Sequence, residues 1–290
     1  MPQRLYKILL ILGIAVMFTA IPFFWLTFKA ETNLEVDFLD VGQGDSILIK
    51  APAGQNILID GGPDNTVIKR LSENLPWWDR TIDLMILSHP HDDHVTGLID
   101  VIKRYKVKKI LYTGVMHDVP GYLAWQDLVR EKKISLTIIN KLQTIDLSGN
   151  CRLEILYPPD SLIGQSVKNL NNSSLVVKLV YNRTEFLFPG DIEEEIEKKL
   201  VADKIDLSVD VLKTGHQGSD TSTSQEFLDA VNPQMAVIQV GENDFGHPSR
   251  RVLNRLSRAE VKVYRTDWDG TIKMISDGRE IKIETTNSGK

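Results

Sequence analysis

At 290 residues, 42% hydrophobic and 25% charged, the chain has the composition of an ordinary globular protein, long enough for one large domain or two small ones. Its formal net charge of −5 is a poor match to a protein that grips nucleic acid through a broad basic surface. The single cysteine, Cys151, excludes an intramolecular disulfide, so stability must come from the core alone; beside the alternating "RLEILY" it reads as a small half-buried residue rather than a nucleophile.

The first element is apolar. Residues 8–28, "ILLILGIAVMFTAIPFFWLTF", carry no charge, and a helix of that length covers the ~30 Å hydrocarbon core of a bilayer. Arg4 and Lys7 precede it, which predicts a single-pass signal anchor with the N-terminus in the cytoplasm and residues 31–290 outside. A cleaved signal peptide is the alternative, although the apolar run exceeds the usual length and no small-x-small site follows it. Without Arg4 and Lys7 the 34 basic residues fall to 32 against 39 acidic ones, a net charge of −7.

Beyond the anchor, "LEVDFL", "SILIK" and "NILID" read as short strands separated by turns rich in Gly, Pro and Asp. Gly42 and Gly44 of "DVGQGD" permit a tight hairpin; the pattern is too short for a phosphate-binding loop. Trp77 and Trp78 of "LPWWDR" suit either a cap over the core or a stacking platform for bases. Strand "TIDLMIL", a helix over 95–105, strand "KKILYTG" and a helix near 121–132 follow. "SLTIIN", "CRLEILYP", "SSLVVKLVY" and "TEFLFPG" form a second set of strands. Helix 192–201, strand "VDVLKTG", helix 224–231, strand "MAVIQVG", helix 249–258 and strands "KVYRT" and "TIKMIS" close the chain. Strands interspersed with helices, without a linker or repeat, predict one layered α/β domain over 31–290 with two packed sheets.

Between strand and helix, "HPHDDH" packs three of the six histidines and two aspartates into positions 89–94. Imidazole nitrogens and carboxylate oxygens suit zinc and similar divalent ions. His89 and His91 in extended backbone point to one side, while Asp93 and His94 at the next helix start can face a second ion. Ser249 reads as the N-cap of the helix "SRRVLNRLSR", whose free amides beside His247 can receive an anion.

This H-x-H-x-D-H after an apolar strand resembles the metallo-β-lactamase superfamily. "FLDVGQGDSILI", "LIDGG", "LSHPHDDHVTG", "FPGD", "LKTGHQGS" and "FGHPS" follow the order of the soluble catalytic domain in the ComEC family of DNA-uptake competence proteins, across residues 38–249. The resemblance implies a four-layer αββα sandwich and two divalent ions, zinc or manganese. It places His89 and His91 on one ion, Asp93, His94 and His247 on the other, and Asp191 between them. Asp93 and His216 become the catalytic pair, with Asp60, Asn172, Lys213, Ser219 and Ser249 in supporting or substrate-contacting places; for Lys213 a solvated lysine is an equal reading. Gln217 stands where that branch has a second histidine, which argues against a paired proton shuttle. No histidine falls between His117 and Asp191, and Asn172 takes about the place of the superfamily's third histidine. His117 matches no motif and reads as a surface residue.

The implied function is a membrane-anchored hydrolase of phosphodiesters, DNA first, which works beside a separate uptake channel or alone, since one span cannot conduct DNA. The alternatives are a hydrolase of a lactone, β-lactam or thioester, and a non-catalytic DNA-binding partner.

Overall fold

The computed structural model describes residues 33–165 and 167–287, with Leu12, Gly13, Val16 and Phe18 ahead of them. The apolar run 8–28 lies almost wholly outside the described residues. Among those residues no helix is long and apolar enough to cross a membrane. Residues 33–290 form one compact unit, apart from 1–32.

Within this unit, alternation of side chains at period two builds two sheets that share a core. In β1 (Leu34–Phe38), Leu34, Val36 and Phe38 point inward. Ile47 and Ile49 of β2 (Ile47–Lys50) and Ile57 and Ile59 of β3 (Asn56–Ile59) join them. Opposite stand Val177, Leu179 and Tyr181 of β11 (Val176–Tyr181) and Phe186 and Phe188 of β12 (Thr184–Phe188). The Phe38 and Phe188 rings meet at 6.1 Å across the sandwich. The alternate residues face outward beneath helices. Leu48, Leu58 and Met85 pack under α1 (Thr66–Asn74), α2 (Asp92–Arg104) and α3 (Pro120–Glu131). Leu187, Leu212 and Ile238 pack under α4 (Glu194–Ala202), α5 (Gln225–Val231) and α6 (Arg250–Arg258). Each apolar residue so buried contributes about 1.5–3 kcal/mol, and the result is the expected αββα order of layers.

The first sheet has eight strands, in the order β17 (Ile281–Thr285), β16 (Ile272–Ser276), β1, β2, β3, β5 (Leu84–Ile86), β7 (Lys109–Tyr112) and β8 (Ser135–Ile138). The second has seven, in the order β15 (Lys262–Arg265), β14 (Met235–Ile238), β13 (Val211–Lys213), β12, β11, β10 (Cys151–Tyr157) and β9 (Gln143–Asp146), and β4 (Thr81–Ile82) pairs with β6 (Lys106–Val107) apart from both. In the first, β3, β5 (Leu84–Ile86), β7 (Lys109–Tyr112) and β8 (Ser135–Ile138) run parallel. In the second, β12, β13 (Val211–Lys213), β14 (Met235–Ile238) and β15 (Lys262–Arg265) do so. Parallel runs place every loop that follows a strand on one edge, where α/β proteins build sites. The sequence reading lacks helix α1, the one-turn helix Thr266–Asp269, the short strand Lys106–Val107, and the edge strands β9 (Gln143–Asp146) and β17 (Ile281–Thr285).

Candidate metal centre

Six parallel strands each deliver functional side chains to this edge. Asp60 follows β3, the run 88–94 follows β5, His117 follows β7, Asp191 follows β12, His216 follows β13 and His247 follows β14. All six histidines of the chain gather here. Ring centroids lie 4.7 Å apart for His89–His91, 4.2 Å for His89–His94, 6.2 Å for His91–His117 and 5.3 Å for His216–His247. Asp191 links the two groups, with Oδ2 3.3 Å from His94 Nε2 and 3.9 Å from His216 Nε2.

Close backbone approach sets the position of the H-x-H-x-D-H turn. Gly61 and Gly97 touch where the end of β3 meets α2: a Cβ on Gly97 would lie 1.9 Å from the Gly61 carbonyl oxygen. The contact is fixed by Gly61 N–H donating to His94 O (2.8 Å) and Gly97 N–H donating to Gly62 O (3.0 Å). A second close approach sits at Gly44, where a Cβ would meet Asp93 O at 2.3 Å. The "DVGQGD" loop thus lies against the H-x-H-x-D-H turn and is more than a hairpin.

Asp60 orients the imidazoles from behind. It adopts φ +58°, a strained value for a residue with a side chain, and strain of this kind collects at functional sites. Its carboxylate accepts from Ser88 N–H (2.8 Å), Ser88 Oγ (2.6 Å) and His94 Nδ1 (2.8 Å). With Nδ1 carrying the hydrogen, His94 offers Nε2 to the site. Ser88 Oγ spends its hydrogen on Asp60, so the 3.0 Å contact with His89 Nδ1 makes that ring the donor and leaves His89 Nε2 bare. His89 Nε2 and His91 Nδ1 stand 3.0 Å apart, a spacing suited to two donors on one ion.

The electrostatics of His89 and His91 match that arrangement. Burial, helped by His94, holds His89 well below its ordinary pKa, and the same causes lower His91. Both are therefore neutral, as metal ligands must be. Burial works against a charged His94, but Asp191, Asp93 and Asp60 outweigh it and hold its pKa well above the usual range, so without an ion the ring is charged and must release its Nε2 proton to become a ligand. Burial likewise opposes ionised Asp191, and His94 and Lys213 overcome it.

The residues present fit a divalent metal. Nitrogen and oxygen donors of His89, His94 and Asp191 lie within 4.8 Å of one another, all buried. His94 Nε2 and Asp191 Oδ1 have no hydrogen-bond partner among the described residues, and an unpartnered buried polar atom costs about 1–3 kcal/mol. Asp45, Asp60 and His94 form a second close group. It is already compensated, because Lys213 pairs with Asp45 and Asp60 holds Ser88 and His94.

Other expected residues stand differently. Lys213 is neither solvated nor open to a substrate: it is 1% exposed, paired with Asp45, and 3.8 Å from Asp191 Oδ1. Asn172 turns away from the metal edge, accepting from Glu193 N–H (2.9 Å) and donating to Glu195 Oε2 (3.1 Å). Its neighbour Asn171 is the amide beside the site, with Nδ2 3.0 Å from Glu193 Oε1 and 3.4 Å from His216 Nδ1. Ser219 closes a turn, donating its N–H to His216 O (2.8 Å). Ser249 caps α6 by accepting from Val252 N–H (3.2 Å), so its hydroxyl is engaged. His117, read as a surface residue, belongs to the rim of the site. Trp77 and Trp78 cap nothing, at 82% and 60% exposure.

Gln217 has a structural task that the sequence did not disclose. His216 and Gln217 both adopt left-handed backbone (φ 47° and 51°), which drives the Gln217 side chain inward. Its Nε2 donates to Asp93 Oδ2 (2.8 Å) and Asp191 Oδ2 (3.3 Å), and its Oε1 accepts from Gln43 Nε2. Gln43 Nε2 in turn stands 3.5 Å from His247 Nδ1. An amide chain thus joins the two carboxylates to the late histidine.

Comparison with known proteins agrees with this geometry. The family model of the metallo-beta-lactamase superfamily matches residues 39–241. ComE operon protein 3 of Bacillus subtilis is 29% identical over 264 residues, 82% of this chain and 32% of that protein. Competence protein ComA of Neisseria gonorrhoeae is 29% identical over 256 residues, 84% of this chain and 32% of that protein. Recombination protein 2 of Haemophilus influenzae is 28% identical over 257 residues, covering 86% and 30%. The chain therefore spans about a third of the length of these relatives. Among solved structures, CmlA, a diiron beta-hydroxylase from Streptomyces venezuelae, superposes with a TM-score of 0.52 at 15% identity over 84% of this chain and 54% of that one. Igni18, a metallo hydrolase from Ignicoccus hospitalis, gives 0.52 at 14% identity over 82% and 98%. These two show the fold alone. A match over most of the chain, on a sandwich whose histidines meet at one edge, places this protein in the metallo-β-lactamase superfamily, among relatives of the ComEC type.

Proposed function

We propose that the chain is a metal-dependent phosphodiesterase acting on DNA, held at the cell membrane by residues 8–28, with its N-terminus in the cytoplasm and its catalytic domain outside. The observation that carries the reading is the meeting of six histidines with Asp93 and Asp191 in a chain whose relatives are named for competence and recombination. Two divalent ions, zinc or manganese, supply hydroxide near neutral pH and offset phosphate charge when bound. His89 and His91 would hold one ion and Asp93, His94 and His247 the other, with Asp191 available to either. His216, 25% exposed at the outer side of Asp191, donates the proton to the leaving alkoxide. Asp60 and Ser88 fix the tautomers of His94 and His89, and Gln217 keeps Asp93 and Asp191 oriented. Asn171, an amide where a third imidazole is absent, is a harder donor that suits manganese as well as zinc. In the membrane the protein acts beside a separate uptake channel or as a free-standing nuclease.

The test is hydrolysis by residues 33–290 of single- and double-stranded DNA and of bis-p-nitrophenyl phosphate, in manganese, zinc and magnesium. Metal-dependent cleavage is expected. Turnover of nitrocefin or a lactone, with none of any phosphodiester, would transfer the site to the small-substrate reading. One observation favours that second reading: Asp45, Asp93, Asp191 and Glu193 crowd the site, and its nearest lysine, Lys213, is buried beneath it.

A further inference from the structure

Opposite the metal edge, the parallel strands of the first sheet begin at a surface of unusual chemistry. Two tryptophans adjacent in sequence, Trp77 and Trp78, stand edge to face at 5.5 Å on the loop after α1, 82% and 60% exposed. That loop is anchored to the sheet: Asn56 Nδ2 donates to Asp79 Oδ2 (2.8 Å) and to Thr81 O (3.1 Å). Basic residues continue from it in register. Arg80 O accepts from Lys106 N–H (2.8 Å), Thr81 pairs with Lys106, and Lys109 pairs with Ser135, two residues after Lys133. Arg80, Lys103, Arg104, Lys106, Lys109 and Lys133 are all exposed, and among the described residues none has a carboxylate within ion-pair distance. Nearby Asp83 is taken by Lys108 and the Asn56 amide, and Glu131 by Lys132. Lys103 and Arg104 complement the C-terminus of α2, but Arg80, Lys106 and Lys109 lie where no helix dipole accounts for them.

The chain enters the domain at this same end. β1 begins at Leu34, Glu35 pairs with Lys50, Lys50 with Asn56, and Ile57 with Leu84. The four strands β1, β2, β3 and β5 are neighbours, so Leu34 lies about 14 Å from the start of β5. In sequence, four residues, 29–32, separate the apolar run from Asn33. Aromatic residues with a polar ring edge, flanked by cations, are the chemistry of a bilayer interface.

We propose that Trp77, Trp78, Arg80, Lys106, Lys109 and Lys133 form a docking surface for a bilayer that carries anionic headgroups. Helix α2 runs from the metal turn to this surface, and its 13 residues set the two about 20 Å apart. Docking turns the metal edge away from the lipid. The proposal rests in part on the reading of 8–28 as an anchor, so its test omits that segment.

Residues 33–290 hold both large sheets and all three apolar clusters, and are used without the anchor. Sedimentation with vesicles of equal parts phosphatidylcholine and phosphatidylglycerol should show binding and a blue shift of tryptophan emission, both absent with phosphatidylcholine alone. W77A/W78A should abolish the shift and weaken binding at least tenfold. K106A/K109A/K133A, at about 1 kcal/mol per charge, should weaken it roughly 100-fold. All five side chains are exposed, so circular dichroism and phosphodiester hydrolysis should not change. Absence of vesicle binding, or binding indifferent to both variants, overturns the proposal. Binding of a short DNA duplex with the same variant dependence, and none of vesicles, would overturn it in favour of a nucleic-acid surface. Carbonate extraction of the full chain decides the anchor separately.

Discussion

Gly97→Ala tests whether the metal turn is held in place by backbone contact. Glycine inside a helix disfavours it by ~1 kcal/mol relative to alanine, so helix propensity alone predicts a gain. Packing predicts the reverse. The new Cβ would lie 1.9 Å from Gly61 O, 2.7 Å from Gly61 C and 2.7 Å from Asp64 O, all backbone atoms that cannot swing aside. Relief requires α2 to withdraw by about 1.5 Å from the end of β3, as an ordinary contact is near 3.4 Å. Overpacking of that kind costs ~1–3 kcal/mol, and the Gly61–His94 and Gly97–Gly62 hydrogen bonds add ~1 kcal/mol each. After the propensity gain, a net loss of about 2–4 kcal/mol should lower the melting temperature by roughly 5–15 °C. The same withdrawal loosens Asp60 from His94, which should weaken metal binding about 10–100-fold. Calorimetric melting and metal titration read both effects. Gly121→Ala is the control: its Cβ would meet the Asp92 Oδ1 tip at 2.6 Å and otherwise only ordinary contacts at 3.5 Å and beyond, and it should shift stability by less than ~1 kcal/mol. Equal melting and equal metal affinity for Gly97→Ala and the parent would refute the contact.

Asp93→Ala and Asp191→Ala should each remove hydrolysis while leaving the circular dichroism spectrum unchanged; full rate in either variant would strip that carboxylate of its role. His216→Ala should reduce turnover by about 10²–10⁴ with metal content retained, as measured by elemental analysis, and the opposite split would make His216 a ligand. Cys151 is buried, and burial, assisted by Asp146, pushes its thiol up to about 12. It should therefore resist a disulfide reagent at pH 8 until the domain is unfolded, and rapid labelling of the folded protein would contradict the packing of β10 (Cys151–Tyr157).

Much of the fold was readable because its strands alternate strictly: "LEVDF" and "TEFLF" each commit one face to the sandwich core. Helix α1 escaped since only Val67 and Leu71 of its nine residues are buried and the side chain of its N-cap, Asn65, makes no capping bond. Strands β9 and β17 lie at sheet edges, where half-exposed residues dilute the alternation. At the site, the close-set cluster 89–94 announced itself, whereas long-range partners did not. Asp45 and Lys213 are 168 positions apart in sequence and look like ordinary surface charges until the two sheets bring them together. Asn171 and Asn172 differ by one step of a tight 3₁₀ turn, and that step decides which amide faces His216. His117 has no motif, only a place after a parallel strand, and that topological position is the signal that identifies it.

Charge separates the two functional readings further than turnover alone can. Asp45, Asp60, Asp93, Asp191 and Glu193 surround the histidines, and the buried Lys213 offsets one of them. Without ions the site repels an anion, and the exposed cations of the first sheet lie at its far end. An anionic substrate must therefore owe its binding to metal, so chelation should remove affinity for a phosphodiester as well as its cleavage. A neutral lactone or thioester meets no such repulsion, and its affinity should survive chelation while turnover stops. Equilibrium binding of a non-hydrolysable oligonucleotide to residues 33–290, before and after chelator, makes the comparison. Affinity unchanged by chelator would mean that the nucleic acid is held elsewhere on the domain, and the metal edge would lose its claim to bind DNA.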